Sequence, residues 1–219
     1  MRSLNIIDLG LVDYAEALKL QKQLVQDRIE KKICDTLILC EHDPVITLGR
    51  KSGSNEFLVP EEFLKKKKIN IFEIERGGEA TYHGPGQIVG YPIFGISDLD
   101  MDVHEFLRAI EEFLVLSLSD AGLKPCLRKG LTGVWVKKEK VFEKIAFIGI
   151  SARKWVTYHG FSVNVNCNLE PFSWIIPCGI NKARITSLAE SINKDFVKNI
   201  KIEFKKILIK RIKEVFDYA

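Results

Sequence analysis

The sequence lacks the features that would place the protein in a membrane or in an oxidising compartment. No apolar run among its 219 residues is long enough to cross a bilayer, and the first residues show neither the apolar core of a signal peptide nor the composition of a transit peptide. The five cysteines are odd in number and show no Cys-x-x-Cys spacing, which predicts free thiols. We therefore expect a cytoplasmic protein with no membrane partner.

The sequence also has little net charge and no nucleotide-binding fingerprint. A formal charge of +4 does not argue for a nucleic-acid partner. The glycines of segment 76–87 are not followed by the Lys-Ser or Lys-Thr of a phosphate-binding loop. The residues after them are typical of a strand, whereas a dinucleotide fingerprint opens a helix. This segment therefore gives no reason to expect ATP or NAD.

Composition and periodicity predict one globular domain over residues 1–219. Hydrophobic residues make up 46% of the chain, and we find no repeats and no low-complexity linker. The predicted helices are 13–32, a short one from Pro60, one from Asp102 to about Ala121, and 195–216. The predicted strands are 4–9, 36–40, 45–48, 69–74, 88–96, 133–136, 145–152 and 156–166. Because the helices and strands do not alternate regularly, we expect an α+β fold with a mixed, largely antiparallel sheet flanked by helices.

The segment 76–87 carries more chemical information than any other part of the chain. It reads Arg-Gly-Gly-Glu-Ala-Thr-Tyr-His-Gly-Pro-Gly-Gln and lies between two predicted strands. Glycines allow a backbone to approach a ligand closely, and an arginine with a histidine supplies charge and a titratable nitrogen. This composition predicts a substrate-binding loop, although a hairpin turn with incidental polar residues has the same composition.

Cys178 lies in a different context from the other cysteines. A proline and a glycine flank it, which indicates a turn that can expose a thiol. Cys34, Cys40 and Cys167 lie in apolar or alternating runs and are expected to be packed. Cys178 is either one more small buried hydrophobe or a nucleophile, and the second role requires a nearby cation or base.

Lys144 is a candidate for that cation. It opens the apolar run 145–150, which predicts an ammonium group at the start of a buried strand. Burial lowers the pKa of a lysine and suits it to proton transfer. A lysine that extends from the end of a strand into solvent has the same sequence pattern.

Two of the four histidines are candidates for a pocket. His83 and His159 each precede a glycine beside a predicted strand, whereas His42 borders a turn and His104 lies in a predicted helix. A zinc site formed by His83, His159 and Cys178 has no short ligand spacing to support it. No metal is therefore expected.

Five ordered motifs resemble the lipoyl(octanoyl) transferases. They are 76–87; Glu-His-Asp-Pro and Thr-Leu-Gly-Arg within 41–50; Gly-Val-Trp and Lys-Ile-Ala with Ile-Gly within 133–149; His-Gly-Phe and Asn-Val-Asn within 159–166; and Pro-Cys-Gly-Ile and Thr-Ser-Leu within 177–188. Five motifs in the same order make the resemblance specific. It implies a single octanoyltransferase catalytic domain with a biotin/lipoate ligase-like fold.

The resemblance implies acyl transfer through a cysteine thioester, the first step of endogenous lipoate assembly. The nucleophile and the neighbouring lysine of the family fall on Cys178 and Lys144. A thiolate is both a nucleophile and a good leaving group, and the donor thioester stores the required energy, so no cofactor is expected. The implied substrate-binding residues are Arg76, Gly77, Gly78, Glu79, Ala80, Thr81, Tyr82, His83, Phe147, Ile148, Gly149, Gly160, Phe161 and Ser162.

The implied partners are proteins. The donor is octanoyl-acyl carrier protein, and the acceptors are the lipoyl domains of 2-oxoacid dehydrogenase E2 subunits and the glycine cleavage H protein. Acyl carrier proteins are acidic, so the net charge of +4 and the lysines of the last predicted helix favour electrostatic docking. Those lysines are Lys198, Lys201, Lys205 and Lys206.

Two other functions remain open. An ATP-dependent relative of the lipoate or biotin ligases would share the implied fold, but Gly77 and Gly78 lack the third glycine of the ligase loop and Gly84, not Asp, follows His83. The Pro-Cys-Gly motif would also have no role in a ligase. An inert module that binds lipoyl domains or acyl carriers is disfavoured because both Lys144 and the candidate cysteine are present.

Phe147 departs from the family pattern. A small residue is usual at this position, so the acyl tunnel is expected to be narrower or differently shaped. If Lys144 points into the site, strand alternation sends Ala146 and Ile148 the same way and the Phe147 ring to the other side of the strand. On that argument we expect the ring in the core, whereas the resemblance places the residue in a segment that contacts substrate.

Overall fold

Two β-sheets pack together in this protein. The computed structural model describes residues 2–53, 56–177, 184–192 and 199–219. The larger sheet has the strand order β1-β2-β6-β10-β9-β8-β7, with β11 paired to β9, and the smaller has the order β4-β3-β5. The strands are β1 Leu4–Val12, β2 Asp35–His42, β3 Val45–Leu48, β4 Asn70–Glu73, β5 Thr81–His83, β6 Gln87–Ile93, β7 Pro125–Arg128, β8 Leu131–Lys138, β9 Val141–Arg153, β10 Val156–Asn164 and β11 Arg184–Ile185.

Most neighbouring strands run antiparallel. The exceptions are the parallel pairs β1–β2, β9–β11 and β3–β4. The central strands β2, β6, β10, β9 and β8 are joined by antiparallel ladders. The predicted α+β class with a mixed, largely antiparallel sheet is therefore confirmed.

Helices cover both faces of the larger sheet. They are α1 Tyr14–Ile29, α2 Glu61–Lys66, α3 Val103–Asp120, α4 Leu188–Ser191 and α5 Ile200–Val215, with 3₁₀ turns at Ile96–Leu99 and Glu170–Trp174. Along β2, Leu37 and Leu39 pack with α3 and α5, whereas Ile38 and Cys40 pack with α1. This alternation follows from the two-residue period of a strand and gives the sheet one core on each face. None of the helices in the described ranges combines the length and hydropathy needed to span a membrane.

The helix boundaries follow capping residues that the sequence reveals. Asp13 precedes α1 and accepts hydrogen bonds from the backbone N–H groups of Ala15 and Glu16. Asp102 and Glu105 form the predicted reciprocal capping box at the start of α3. The last predicted helix, 195–216, is confirmed from Ile200 to Val215, while its first residues lie outside the described ranges.

The glycine-rich segment lies between strands that belong to different sheets, which excludes the alternative of a simple hairpin turn. The strand before it, β4, belongs to the smaller sheet, and the strand after it, β6, belongs to the larger one. Part of the segment itself forms β5, which pairs antiparallel with β3. The segment therefore carries the chain from one sheet to the other, which pattern analysis of a single strand does not reveal.

The packing of the cysteines corrects one expectation. Cys40 and Cys167 are buried as predicted, but Cys34 is exposed. It lies in the turn between α1 and β2, one residue before the strand begins at Asp35. The sequence pattern predicted a packed side chain at Cys34, whereas burial begins only with the first residue of the strand, Asp35.

The capping box of α3 gives a prediction about stability. Replacing Asp102 by alanine removes the acceptor for two backbone N–H groups, so the free energy of unfolding should fall by about 1 kcal/mol. Urea titrations at neutral pH measure this difference. Asp102→Asn retains a side-chain oxygen and should stay close to the wild-type stability; equal losses in both variants would mean that the cap contributes nothing.

Candidate active site

A narrow cavity of about 30 Å³ lies where the two sheets meet. Strands β6, β9 and β10 of the larger sheet provide one wall. The other wall comes from the first residue of α1, from β5 and from the loop that precedes β5. The lining residues are Tyr14, Arg76, Thr81, His83, Val89, Tyr91, Phe147, Ile148, Gly149, His159, Gly160, Phe161 and Ser162.

The structure brings nine of the fourteen predicted substrate-binding residues to this cavity. Those nine are Arg76, Thr81, His83, Phe147, Ile148, Gly149, Gly160, Phe161 and Ser162. The other five support the surrounding chain. Gly77 and Gly78 make backbone hydrogen bonds to Ile150 and Lys51, Glu79 accepts one from the N–H of Gly49, and Ala80 and Tyr82 pack in the core of the smaller sheet.

Arg76 is a buried cation held by fixed acceptors. Its guanidinium donates to the hydroxyl and the carbonyl of Thr47, at 3.0–3.1 and 2.6 Å, and to the carbonyl of Gly77 at 2.9 Å. A Cβ atom on Gly149 would lie 2.9 Å from Arg76 Cδ, so only glycine allows β9 to approach this closely. Arg76 is thus part of the joint between the two sheets as well as part of the cavity wall.

A chain of amide and imidazole groups connects three of the motifs. His83 Nδ1 is 2.6 Å from Gln87 Oε1, and Gln87 Nε2 donates to Asn164 Oδ1 at 2.8 Å. Asn164 Nδ2 in turn donates to the carbonyl of Thr186 at 3.0 Å. All three side chains are buried, so each hydrogen bond is held in a low-dielectric environment. The network fixes the orientation of the His83 ring.

The cavity histidines are neutral at physiological pH. Burial lowers the pKa of His83 to about 3, assisted by the neighbouring His42 and Arg76. Burial also lowers the pKa of His159 to about 3, with a further contribution from Arg76. His159 has a left-handed backbone (φ +55°), and neither of its ring nitrogens has a hydrogen-bond partner among the described residues. The prediction that His159 lines a pocket is confirmed.

Sequence reasoning missed three lining residues, Tyr14, Val89 and Tyr91. Tyr14 fits the apolar stripe of α1, and the two others fit an ordinary buried strand, so periodicity did not distinguish a cavity wall from a core.

Both tyrosines of the cavity contact a third aromatic side chain, that of His42. His42 Nε2 lies 2.7 Å from the Tyr91 hydroxyl, and the His42 ring packs edge-on against Tyr14 at 5.2 Å.

Lys144 lies in the interior, near the end of the cavity formed by Phe147. Its side chain is only 2% exposed. The ammonium nitrogen lies 5.3 Å from the ring centroid of Trp135 and 5.0 Å from that of Phe147, within the range of cation–π attraction. The prediction of a buried ammonium group is confirmed, and a lysine extended into solvent is excluded.

The expected alternation between Lys144 and Phe147 is wrong. Trp135 pairs with Lys144, but its neighbour Val134 pairs with Ala146, so Ile145 is an extra residue in β9. Because of this extra residue, every later side chain of β9 points to the side of the sheet opposite to the one that regular alternation predicts. Lys144 and Phe147 therefore come together, and Ile145 and Ala146 both pack in the core beneath α3 and α5.

Cys178 lies outside the described residues, but the chain on either side of it is placed. Before it, the N–H of Ile176 donates to the carbonyl of Glu56 at 2.9 Å. After it, Ile185 pairs with Lys144, and the N–H of Thr186 donates to the carbonyl of Lys144 at 3.0 Å. Within the described ranges, no three His, Cys, Asp or Glu side chains are grouped to hold a metal ion.

Comparison with known sequences identifies the family. The lipoyl protein ligase A/B catalytic domain matches residues 13–214. An octanoyltransferase of Caldicellulosiruptor bescii is 46% identical over 95% of this chain and 93% of its own length. An octanoyltransferase of Cytophaga hutchinsonii is 40% identical over 88% of this chain and 85% of its own. The chain belongs to the lipoyl(octanoyl) transferase family.

Solved structures support the fold expected of a lipoyl(octanoyl) transferase. The bipartite lipoate protein ligase of Thermoplasma acidophilum superposes with a TM-score of 0.75 at 18% identity, covering 100% of this chain and 86% of that chain. The Plasmodium falciparum protein LipL1 in complex with lipoate gives 0.74 at 16% identity, covering 98% of this chain and 63% of that chain. At these identities the likeness shows the fold alone, and it confirms the predicted lipoate ligase-like architecture.

The low pKa of His159 makes the stability of this family member sensitive to acid. The unfolded histidine binds a proton below about pH 6.5, whereas the folded one stays neutral until about pH 3, so stability falls as the pH drops through this window. His159→Asn removes the titrating ring, and asparagine tolerates a left-handed backbone. The loss of unfolding free energy between pH 7 and pH 5 should therefore shrink by up to about 2 kcal/mol.

Chemical denaturation at the two pH values measures this effect. His104→Asn makes the same substitution at an exposed histidine on α3 and serves as the control. An unchanged pH dependence in His159→Asn would show that the folded His159 titrates like the unfolded one.

Proposed function

We propose that this protein is an octanoyltransferase that moves an octanoyl or lipoyl group from an acyl carrier protein to a lysine of a lipoyl domain. The observation that carries the proposal is the match of nearly the whole chain, at 37–46% identity, to proteins named octanoyltransferase. A solved neighbour is described as part of an archaeal lipoylation system with its E2 lipoyl domain, which supports a lipoyl-domain acceptor. The single catalytic domain over 1–219 and the cytoplasmic location belong to this proposal.

In the proposed reaction, Cys178 and Lys144 act together. The Cys178 thiolate attacks the thioester of the donor, and the bond between the acyl group and the carrier sulfur breaks as an acyl–enzyme thioester forms. The departing carrier sulfur takes a proton from the Lys144 ammonium and leaves as a thiol, so Lys144 becomes neutral. The amine of the acceptor lysine then attacks that thioester, Lys144 in its neutral form takes the amine proton, and the proton passes to the departing Cys178 sulfur. Ile185 lies seven residues after Cys178 in sequence and pairs with Lys144, which supports this partnership.

The cavity between the sheets is the proposed acyl site. Its apolar wall includes Phe147, Ile148 and Phe161, which suits a hydrocarbon chain. Thr81 and Ser162 add hydroxyl groups that have no hydrogen-bond partner among the described residues. We propose that these hydroxyls bind the polar end of the acyl group.

The last helix is a weaker docking surface for an acidic carrier than its composition suggests. Three of the four lysines named for this role lie in the described ranges, and each is paired with a carboxylate. Lys201 contacts Glu41 at 2.9 Å, Lys205 contacts Asp8 at 2.8 Å and Lys206 contacts Glu203 at 2.9 Å. Electrostatic docking stays a prediction, and these three lysines are already partly neutralised.

Transfer chemistry is tested by incubating the protein with octanoyl-carrier and no acceptor. Intact mass should increase by one octanoyl group, with the adduct mapping to Cys178. The adduct should be absent in Cys178→Ser, and ATP should have no effect on its formation. Cys34→Ser changes an exposed cysteine and should retain the adduct. Transfer that depends on ATP and survives in Cys178→Ser would instead indicate a ligase.

Phe147 should control both chain length and stability. Its ring stacks on Phe172 at 5.1 Å and also lines the cavity, so the core and tunnel roles coexist. Phe147→Ala should lower the free energy of unfolding by about 3 to 5 kcal/mol and raise the rate with decanoyl relative to octanoyl donor. Competition between the two donors, together with urea unfolding, measures both effects.

Phe106→Ala provides a matched control for the Phe147 variant. Phe106 packs against Phe94 and Phe216 beneath the opposite face of the sheet. Its truncation should cost similar stability and leave chain-length preference unchanged. If Phe147→Ala loses stability but keeps the octanoyl preference, the ring does not limit the acyl chain.

A further inference from the structure

The side chain of Glu111 is an unusual component of the interior. It projects from α3 and is 0% exposed. Its Oε1 accepts a hydrogen bond from the backbone N–H of Gly133 at 2.9 Å, and Arg108 donates to Oε2. Burying a carboxylate is costly unless its hydrogen bonds compensate, and an apolar side chain would pack at this position without that cost. The hydrogen bond from Gly133 therefore indicates that Glu111 has a role beyond packing.

Gly133 lies directly against the side chain of Lys144. A Cβ atom on Gly133 would be 2.7 Å from Lys144 Cε and 3.3 Å from Lys144 Nζ. The same atom would be 2.5 Å from the carbonyl oxygen of Ala146. The end of the lysine side chain thus packs against the bare Cα of Gly133, so movement of this backbone unit would move the ammonium group as well.

Gly133 also lies where the strand ladder is irregular. Its φ of +111° is outside the range that other residues adopt, and the register between β8 and β9 shifts just after it, between Val134 and Trp135. Regular pairing alone does not fix the backbone at such a point. The bond to Glu111 attaches this part of β8 to α3, and a carboxylate acceptor makes it stronger than a bond between neutral groups.

We propose that Glu111 is a positioning residue, which holds Gly133 in place and thereby fixes the ammonium group of Lys144 for acyl transfer. This inference rests on the proposed function of Lys144. Glu111 acts on the backbone on which the lysine lies and needs no contact with the substrate. Loss of the bond lets Gly133 and the lysine end move, and a displacement of about 1 Å at a reacting group can cost about 100-fold in rate.

Two replacements of similar shape test the proposal. Glu111→Gln retains a side-chain oxygen that accepts the Gly133 N–H, whereas Glu111→Met has no comparable acceptor. The Met variant should lose about 10- to 100-fold in kcat with KM for the donor nearly unchanged, and the Gln variant should stay within about threefold of wild type. Glu111→Leu provides a second variant without an acceptor if the Met variant does not fold.

A second readout separates positioning from general destabilisation. In both Glu111→Met and Lys144→Ala, alkylation of Cys178 should require a higher pH than in the wild type, because the ammonium that favours the thiolate is displaced or absent. Ser117→Ala is the matched control. It removes a buried hydrogen bond to the carbonyl of Phe113 on the same helix and should change neither kcat nor the alkylation profile.

The outcomes distinguish a failure of the positioning role of Glu111 from a failure of the proposed function of Lys144. If Lys144→Ala is impaired while Glu111→Met keeps wild-type kcat and alkylation, Glu111 does not position the lysine and the inference is wrong. An equal loss in Glu111→Met and Glu111→Gln would also overturn it, since the Gln side chain retains the acceptor. If Lys144→Ala itself transfers octanoyl groups at the wild-type rate, the proposed mechanism fails first.

Discussion

The extra residue in β9 determines which side chains of this strand point to the same side of the sheet at the site. Because Ile145 has no partner on β8, the strand places Lys144 and Phe147 together while Ile145 and Ala146 enter the opposite core. The bulge requires a glycine on the neighbouring strand, since the end of the Lys144 side chain occupies the space of a Cβ at position 133. A buried lysine, its aromatic neighbours and the underlying glycine therefore form one unit that depends on a single irregularity in the ladder.

The joint between the sheets depends on polar groups with many fixed partners. Arg76 links the glycine-rich segment to β3 through Thr47, and the network from His83 through Gln87 and Asn164 reaches Thr186, the residue after β11. Buried polar groups stabilise a fold only when each has a partner. Within the part of the chain that the structure describes, the ring nitrogens of His159 and the hydroxyls of Thr81 and Ser162 have no hydrogen-bond partner, and buried groups of this kind require an explanation.

The fold leaves the chemistry undecided. Lipoate protein ligases with 18–20% identity superpose on the whole of this chain. A shared architecture supports different reactions when the residues of the site differ. Here the residues that favour transfer over ligation are the Pro-Cys-Gly motif, the loop with two adjacent glycines, and Lys144 held away from solvent.

The sequence by itself determined the class of fold, the helix caps and the family, because these depend on short-range patterns and ordered motifs. Asp13 and Asp102 cap the helices that their positions predict, and the stripe of α5 is buried from Ile200 to Ile212. Only the tertiary structure decided that the glycine-rich segment joins two sheets, that Tyr14 lines the cavity and that Phe147 faces Lys144. Each of these depends on contacts that the periodicity of one element does not encode. The packing of α1 against the sheets places Tyr14, and a shift of one residue in the pairing of β9 with β8 reverses the direction of the Phe147 side chain.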